Sequence, residues 1–139
     1  MTAGGTVRAF YAAVEANDAG ALRRLLAPEW EEVPPAYPGQ PPGPGGYLPV
    51  VAAFTAVLEG VRFEIHEVIE APRRVVVRTT VHGRHVGPFL GRAATGRQVA
   101  FGTIDIHEVE EGVIRRSWHI EDFFALVGQL DAPQQGAAA

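Results

Sequence analysis

The chain has 139 residues, a formal net charge of −4 and no cysteine. One domain is the expectation at this length, with roughly two-thirds of the unfolded surface buried, enough for a core and a pocket. All 12 basic residues are arginines and none forms a run or stripe, which speaks against a nucleic-acid partner, and missing cysteine removes disulfides, thiolate metal sites and a thiol nucleophile. No stretch approaches about 18 apolar residues, and the first residues lack the basic and apolar regions of a signal peptide. The expectation is a cytoplasmic protein with no membrane contact.

Val7, Phe10, Tyr11 and Val14 recur at helical spacing over Thr6–Ala16, with Thr6 placed to cap the start. Asn17-Asp18 breaks the pattern. Asp18 can cap a second helix over Ala19–Leu26, with Leu22, Leu25 and Leu26 inward and Pro28 as its stop. Trp30–Val33 reads as a short strand. Pro34–Pro49 then holds seven of the chain's 11 prolines and four glycines, so it is read as a long surface loop. Its Tyr37 and Tyr47 could fold over a pocket mouth, or the loop could be a mobile insertion. Tyr47–Leu58 resumes helical spacing and Gly60 ends it. Val61–Ile69, Val75–Val86, Gln98–Val109 and Val113–Asp122 are strands, Phe123–Leu130 a last helix, and Ala132–Ala139 a frayed end. Helices first and strands afterwards imply an α+β fold: a curved antiparallel sheet around the N-terminal helices, cone-shaped, with an internal pocket. Residues 1–131 form the single domain.

The strongest local signal is GTIDIHEVEEGVIRRSWHIED, from Gly102 to Asp122. Glu111-Gly112 reads as a two-residue hairpin loop. Counting outward from it sets His107 opposite Arg116, Asp105 opposite Trp118 and Phe101 opposite Asp122. Strict alternation then gathers Phe101, Asp105, His107, Ile114, Trp118, Ile120 and Asp122 on one face. Two carboxylates and an imidazole in an apolar wall are costly unless paired.

Several pieces of the second half resemble SnoaL-like polyketide cyclases: Gly83-Arg84-His85, Gly87-Pro88-Phe89-Leu90-Gly91, Ala94-Thr95-Gly96-Arg97, Ile104-Asp105-Ile106, Trp118 through Asp122, and Leu126, Gln129 and Leu130. The first half fits in layout more than in letters. The resemblance implies the nuclear-transport-factor-two-like fold and a homodimer or higher homo-oligomer built through the outer sheet face. It also implies ring closure by intramolecular aldol condensation on a small-molecule substrate, without metal or cofactor. The family's acid/base aspartate corresponds to Asp122. The proline-rich loop and Trp30-Glu31-Glu32 depart from the family pattern.

Such chemistry needs one group that takes a proton from carbon and returns one to an alkoxide. Asp122 is the first candidate, with Asp105 within a strand's reach to raise its pKa. His107, on the same face, and His85, by the family match, are candidate donors to an enolate or alkoxide. Trp118, Phe101 and Ile120, with Phe89, Tyr47 and Trp30, are the expected substrate wall. Other readings stay open. Asp122 is also a preferred N-cap for the last helix. Asp105 becomes a solvated strand residue if the register slips by one. His85 could bond a turn between Gly83 and Gly87. His119 falls on the outer face by parity, and His66 and His82 read as surface or sheet residues. His82 and His85, and likewise His107 and His119, have opposite parity, so no metal is expected. Ser117, the only serine, lacks an elbow motif. An epoxide hydrolase, isomerase or dehydratase in the same cone, or a non-catalytic binding module, are the alternatives to a cyclase.

Overall fold

The computed structural model describes residues 1–133. Helix α1 spans Ala3–Glu15, α2 Ala19–Leu25, strand β1 Leu26–Val33, α3 Pro44–Val57, β2 Leu58–Ala71, β3 Arg74–His85, β4 Gln98–Glu110, β5 Val113–Glu121 and α4 Phe123–Asp131. The end expected to fray lies, past Pro133, outside the described residues. No helix among those described is long and apolar enough to cross a membrane.

Three boundaries differ from the sequence reading for local reasons. The cap of α1 is Thr2, whose hydroxyl accepts from the Gly5 amide; Thr6 is buried one turn on, its own hydroxyl donating to the Thr2 carbonyl. Helix α2 is capped by Asp18 as expected, but it passes straight into β1 at Leu26, ahead of Pro28. The proline-rich loop ends at Gly43, because Pro44 opens α3. A proline in the first turn gives up an amide that has no helical partner anyway. Tyr47 therefore sits inside a helix, stacked on Phe10 and edge-on to Trp30.

The sheet has five strands in the order β1-β5-β4-β3-β2 and is not closed. It is mixed, not purely antiparallel as expected, because β1 runs parallel to β5. The helices cover one face, called here the inner face. Val7, Phe10, Tyr11 and Val14 of α1 pack with Leu22, Trp30, Val51, Val75, Val77 and Ile114 into the main core. A second cluster, with Leu58, Val81, Val99, Phe101, Leu126 and Leu130, fills the other end.

The β4–β5 hairpin turns at Glu111 and Gly112, both with positive φ, as a tight two-residue loop requires. Beyond the turn the register departs from simple counting. Val109 pairs with Ile114, but Glu108 pairs with Arg116, so Arg115 is an extra residue. Such a bulge moves every later side chain of the strand to the opposite face. His107 consequently faces Ser117, Asp105 faces His119, and Trp118 sits across from Ile106. Deleting Arg115 would straighten the strand without changing these pairs, because Arg116 already faces Glu108 and Ser117 already faces His107. The expected outcome is a cooperative transition retained in a urea titration followed by circular dichroism; its loss would show that the bulge itself, and not the register beyond it, holds the hairpin.

Candidate functional site

The bulge decides which expected site residues meet. On β4 the alternation holds: Phe101, Asp105 and His107 are buried on the inner face. On β5 it fails. Trp118 lies on the outer face between the guanidinium groups of Arg74 and Arg116, and Ile120 beside it is 70% exposed. Neither can wall an inner pocket. His119, expected outside, is on the inner face together with Ser117 and Glu121.

Asp122 is also displaced from the expected wall. It is exposed, and its carboxylate accepts the Ala125 amide at 3.0 Å as the N-cap of α4. His85 is buried but remote. It lies eight residues further along β3 than Val77, the partner of Asp105, roughly 26 Å at about 3.3 Å per residue. Phe89 and Phe101 belong to that remote end, where both pack on Phe123.

What the fold does bring together is a buried polar chain through the main core. Tyr11 Oη lies 2.6 Å from Asp105 Oδ2 and 2.9 Å from His107 Nε2. His107 Nδ1 is 2.8 Å from Ser117 Oγ, which is 3.0 Å from Trp30 Nε1. Burial, and then the charge of His119, push the His107 pKa down to about 3, so this imidazole is neutral and carries one ring proton. Donor accounting then fixes the direction of the chain. The indole can only donate, so Ser117 accepts from Trp30. Tyr11 donates to the carboxylate, so its oxygen accepts from His107 Nε2–H. His107 Nδ1 must then accept from the Ser117 hydroxyl. Each donor points toward Asp105, and aligned hydrogen bonds of this kind strengthen one another.

Asp105 is the one ionisable end of that chain. It is 8% exposed. Burial raises its pKa, the Tyr11 hydrogen bond opposes the rise, and Glu121 adds to it, for a value of about 7. Its Oδ1 is buried with no hydrogen-bond partner among the described residues. Oδ2 is thus held by Tyr11, while Oδ1 makes no hydrogen bond among the described residues. Tyr11 and Tyr47 are both pushed well up, chiefly by burial, and stay un-ionised beside it.

A charged cluster edges this site. His119 Nδ1 is 2.7 Å from Glu121 Oε1, and Nε2 is 2.7 Å from the Pro34 carbonyl and 3.5 Å from Glu32 Oε2. Burial pulls the His119 pKa down, but the Glu121 hydrogen bond and charge, with Pro34 and Glu32, lift it to about 9. Both ring nitrogens therefore donate from an imidazolium. Burial raises the pKa of Glu32, against the pull of Gln40, whose amide donates to Glu32 Oε1 at 2.8 Å. Gln40 and Pro34 belong to the proline-rich loop, which is fastened across this edge of the sheet. Among the described residues no three His, Asp or Glu side chains are arranged to hold a metal ion.

Simple alternation missed Ser117, His119 and Glu121 because a bulge leaves little trace in sequence. Tyr11 had a usable signal: a tyrosine on the apolar stripe of a helix needs a partner for its hydroxyl.

The sequence profile of SnoaL-like polyketide cyclases matches residues 5–130. The chain belongs to this family, and its fold is that of the nuclear-transport-factor-two-like proteins. TsrD from Streptomyces laurentii has a similar structure, with a TM-score of 0.82 and 28% identity over 94% of this chain and 95% of its own. IdmH from Streptomyces antibioticus, described as a proposed polyketide cyclase, gives a TM-score of 0.80 at 24% identity, covering 93% of this chain and 98% of its own. AclR from Streptomyces galilaeus, described as a proposed hydroxylase, gives 0.77 at 17% identity, covering 94% and 84%. These last two likenesses establish the fold alone. No curated protein matches the chain.

The His119 cluster makes a pH prediction. The folded-state pKa, about 9, lies above the ordinary value of 6.5, so the stabilisation is complete below the lower value and fades as pH climbs through the upper one. The stability advantage of the wild type over His119→Gln in urea titrations should therefore shrink between pH 7 and pH 10. An advantage that stays constant over that range would contradict the imidazolium clamp.

Proposed function

We propose that the protein catalyses acid/base proton transfer on an apolar, carbonyl-bearing small molecule, of the kind an intramolecular aldol closure requires, with Asp105 as the acid/base. The observation that carries this reading is the Asp105 carboxyl: buried, poised near neutrality, one oxygen anchored by Tyr11 and the other free. Membership of the cyclase family supports the substrate class. The Asp105 carboxylate takes the proton from the carbon next to a carbonyl on Oδ1. The enolate so formed attacks a second carbonyl of the same molecule, and Oδ1 returns the proton to the new alkoxide. Tyr11 keeps its hydrogen bond to Oδ2 throughout, and the neutral His107 behind it fixes the orientation of that hydroxyl. The positive His119 at the edge of the site favours negative charge developing nearby. Acid/base help of this type is typically about 10²–10⁴-fold, and holding a flexible substrate folded contributes the larger share.

The outer sheet face supports a homodimer. Ile104, Ile106 and Ile120 are exposed there around Trp118, and a contiguous apolar strip on a sheet marks an interaction surface. Ile120→Glu should convert a dimeric mass in light scattering to that of a monomer; a wild type that is monomeric at micromolar concentration would dismiss the pairing.

Proton abstraction is measurable without the natural substrate, as deuterium incorporation next to the carbonyl of 2-tetralone in D2O. The protein should accelerate it, more strongly as pH rises through about 7, because only the ionised Asp105 can take a proton. Asp105→Asn should lower the acceleration by about 10²–10⁴-fold while leaving the circular dichroism unchanged. Undiminished exchange in that variant would remove Asp105 from the chemistry.

A further inference from the structure

At the far end of the inner face, away from Asp105, His85 closes a small apolar chamber. Phe54 and Val57 wall it from the end of α3, Leu58 from the start of β2, Phe101 from β4, Phe89 from the loop after β3, and Phe123, Leu126 and Leu130 from α4. The cavity is about 10 Å³, room for about one water molecule. His85 is 1% exposed. Its Nδ1 accepts the Thr95 amide at 3.1 Å, with the Thr95 hydroxyl 3.0 Å away. An amide can only donate, so Nδ1 carries no proton, and the ring is neutral with its hydrogen on Nε2. That Nε2–H is buried with no partner among the described residues. A buried donor left unmatched in apolar surroundings is unfavourable, and such groups in native proteins call for an acceptor.

The geometry points to a second binding site here, one that takes the oxygen of a neutral, otherwise apolar ring-bearing ligand onto His85 Nε2–H. A single uncharged donor among phenyl rings suits a ketone or quinone oxygen and offers nothing to a carboxylate or phosphate. The entrance is the first turn of α4. Phe123 packs edge-on to Phe89 with ring centres 5.5 Å apart. It is already 36% exposed, and Phe124 next to it 92%. Turning Phe123 outward opens the chamber without disturbing the main core. The loop and α4 that form the walls are fastened by the paired Arg92–Asp131 contacts at 2.9 Å and by Arg97, which donates to the Gln129 carbonyl at 2.7 Å. The frame therefore holds while the Phe123 side chain moves. This site stands whether or not Asp105 performs the proposed chemistry.

The test compares acetophenone with α-methylstyrene, which has the same shape but no acceptor oxygen. In protein carrying 15N-labelled histidine, acetophenone should shift the His85 Nε2 resonances and α-methylstyrene should not. Acetophenone should also bind several-fold to about tenfold more tightly, as one neutral hydrogen bond allows. His85→Phe should abolish that preference, Phe123→Ala should strengthen binding of both probes, and Asp105→Asn should change neither. Equal affinity for the two probes, or His85 resonances that acetophenone leaves unmoved, would overturn the site and leave the chamber to a single bound water. Neither result depends on the exchange measured with 2-tetralone.

Discussion

One inserted residue governs the inner face. Were Arg115 paired in the ladder, Trp118 and Ile120 would point at the helices. Because it is left out of the ladder as a bulge, Ser117, His119 and Glu121 take that direction, and Trp118 and Ile120 are turned outward. The bulge is fixed from both sides. Ile114, before it, is fully buried in the main core. Arg115 itself reaches across to Glu29 of β1, and Arg116, after it, bonds Glu31 on the outer face at 2.7 Å. Strand β1 carries its own irregularity between Leu26 and Glu31. That adjustment brings Trp30 into bonding reach of Ser117 and sets Glu32 beside His119. The polar chain and the charged cluster are thus consequences of one register.

The two inner histidines show how position alone sets protonation. His107 lies deep between Phe10 and Tyr11 and meets one hydroxyl at each nitrogen. A neutral ring satisfies both contacts, and burial makes the charged form unfavourable. His119 sits at the edge with an acceptor at each nitrogen, one of them a carboxylate. Only the charged ring can donate to both. The cation lowers the pKa of the deeper imidazole and of Asp105, while Glu121 and Glu32 raise that of Asp105. Burial leads the rise of the Asp105 pKa to about 7, and the Tyr11 hydrogen bond is the first effect opposing it.

Much of this was legible before any coordinates. The apolar stripe of α1, the Asp18 cap, the Glu111-Gly112 turn and the inward set on β4 follow from periodicity and turn chemistry. Those signals are local, and local geometry obeys them. The family resemblance supplied the fold. The illegible part was relational. A bulge shows only when a strand is laid against its neighbour, so parity failed for β5 alone, and with it the placing of Trp118, Ile120 and His119. The parallel pairing of β1 was hidden for the same reason. Seven prolines made 34–49 read as loop throughout, although a proline in the first turn can equally begin a helix, as Pro44 does.

Asp122 shows how a family position and a local rule can compete for one side chain. The sequence left it with two readings, acid/base or helix cap, and here its carboxylate is spent on the Ala125 amide at the surface. That bond fixes where α4 begins. With the helix starting at Phe123, its first side chain falls over Phe89 and Phe101, and Leu126 and Leu130 follow at one-turn intervals onto the second cluster. Gln129, on the same helix, exchanges hydrogen bonds with the Ala100 backbone in both directions. Capping at Asp122 therefore helps hold the lip of the His85 chamber, some distance from the carboxyl at Asp105. Of these two aspartates, only Asp105 keeps a buried carboxylate oxygen with no hydrogen-bond partner among the described residues, which is why the proposed proton transfer is placed there and not at the helix cap.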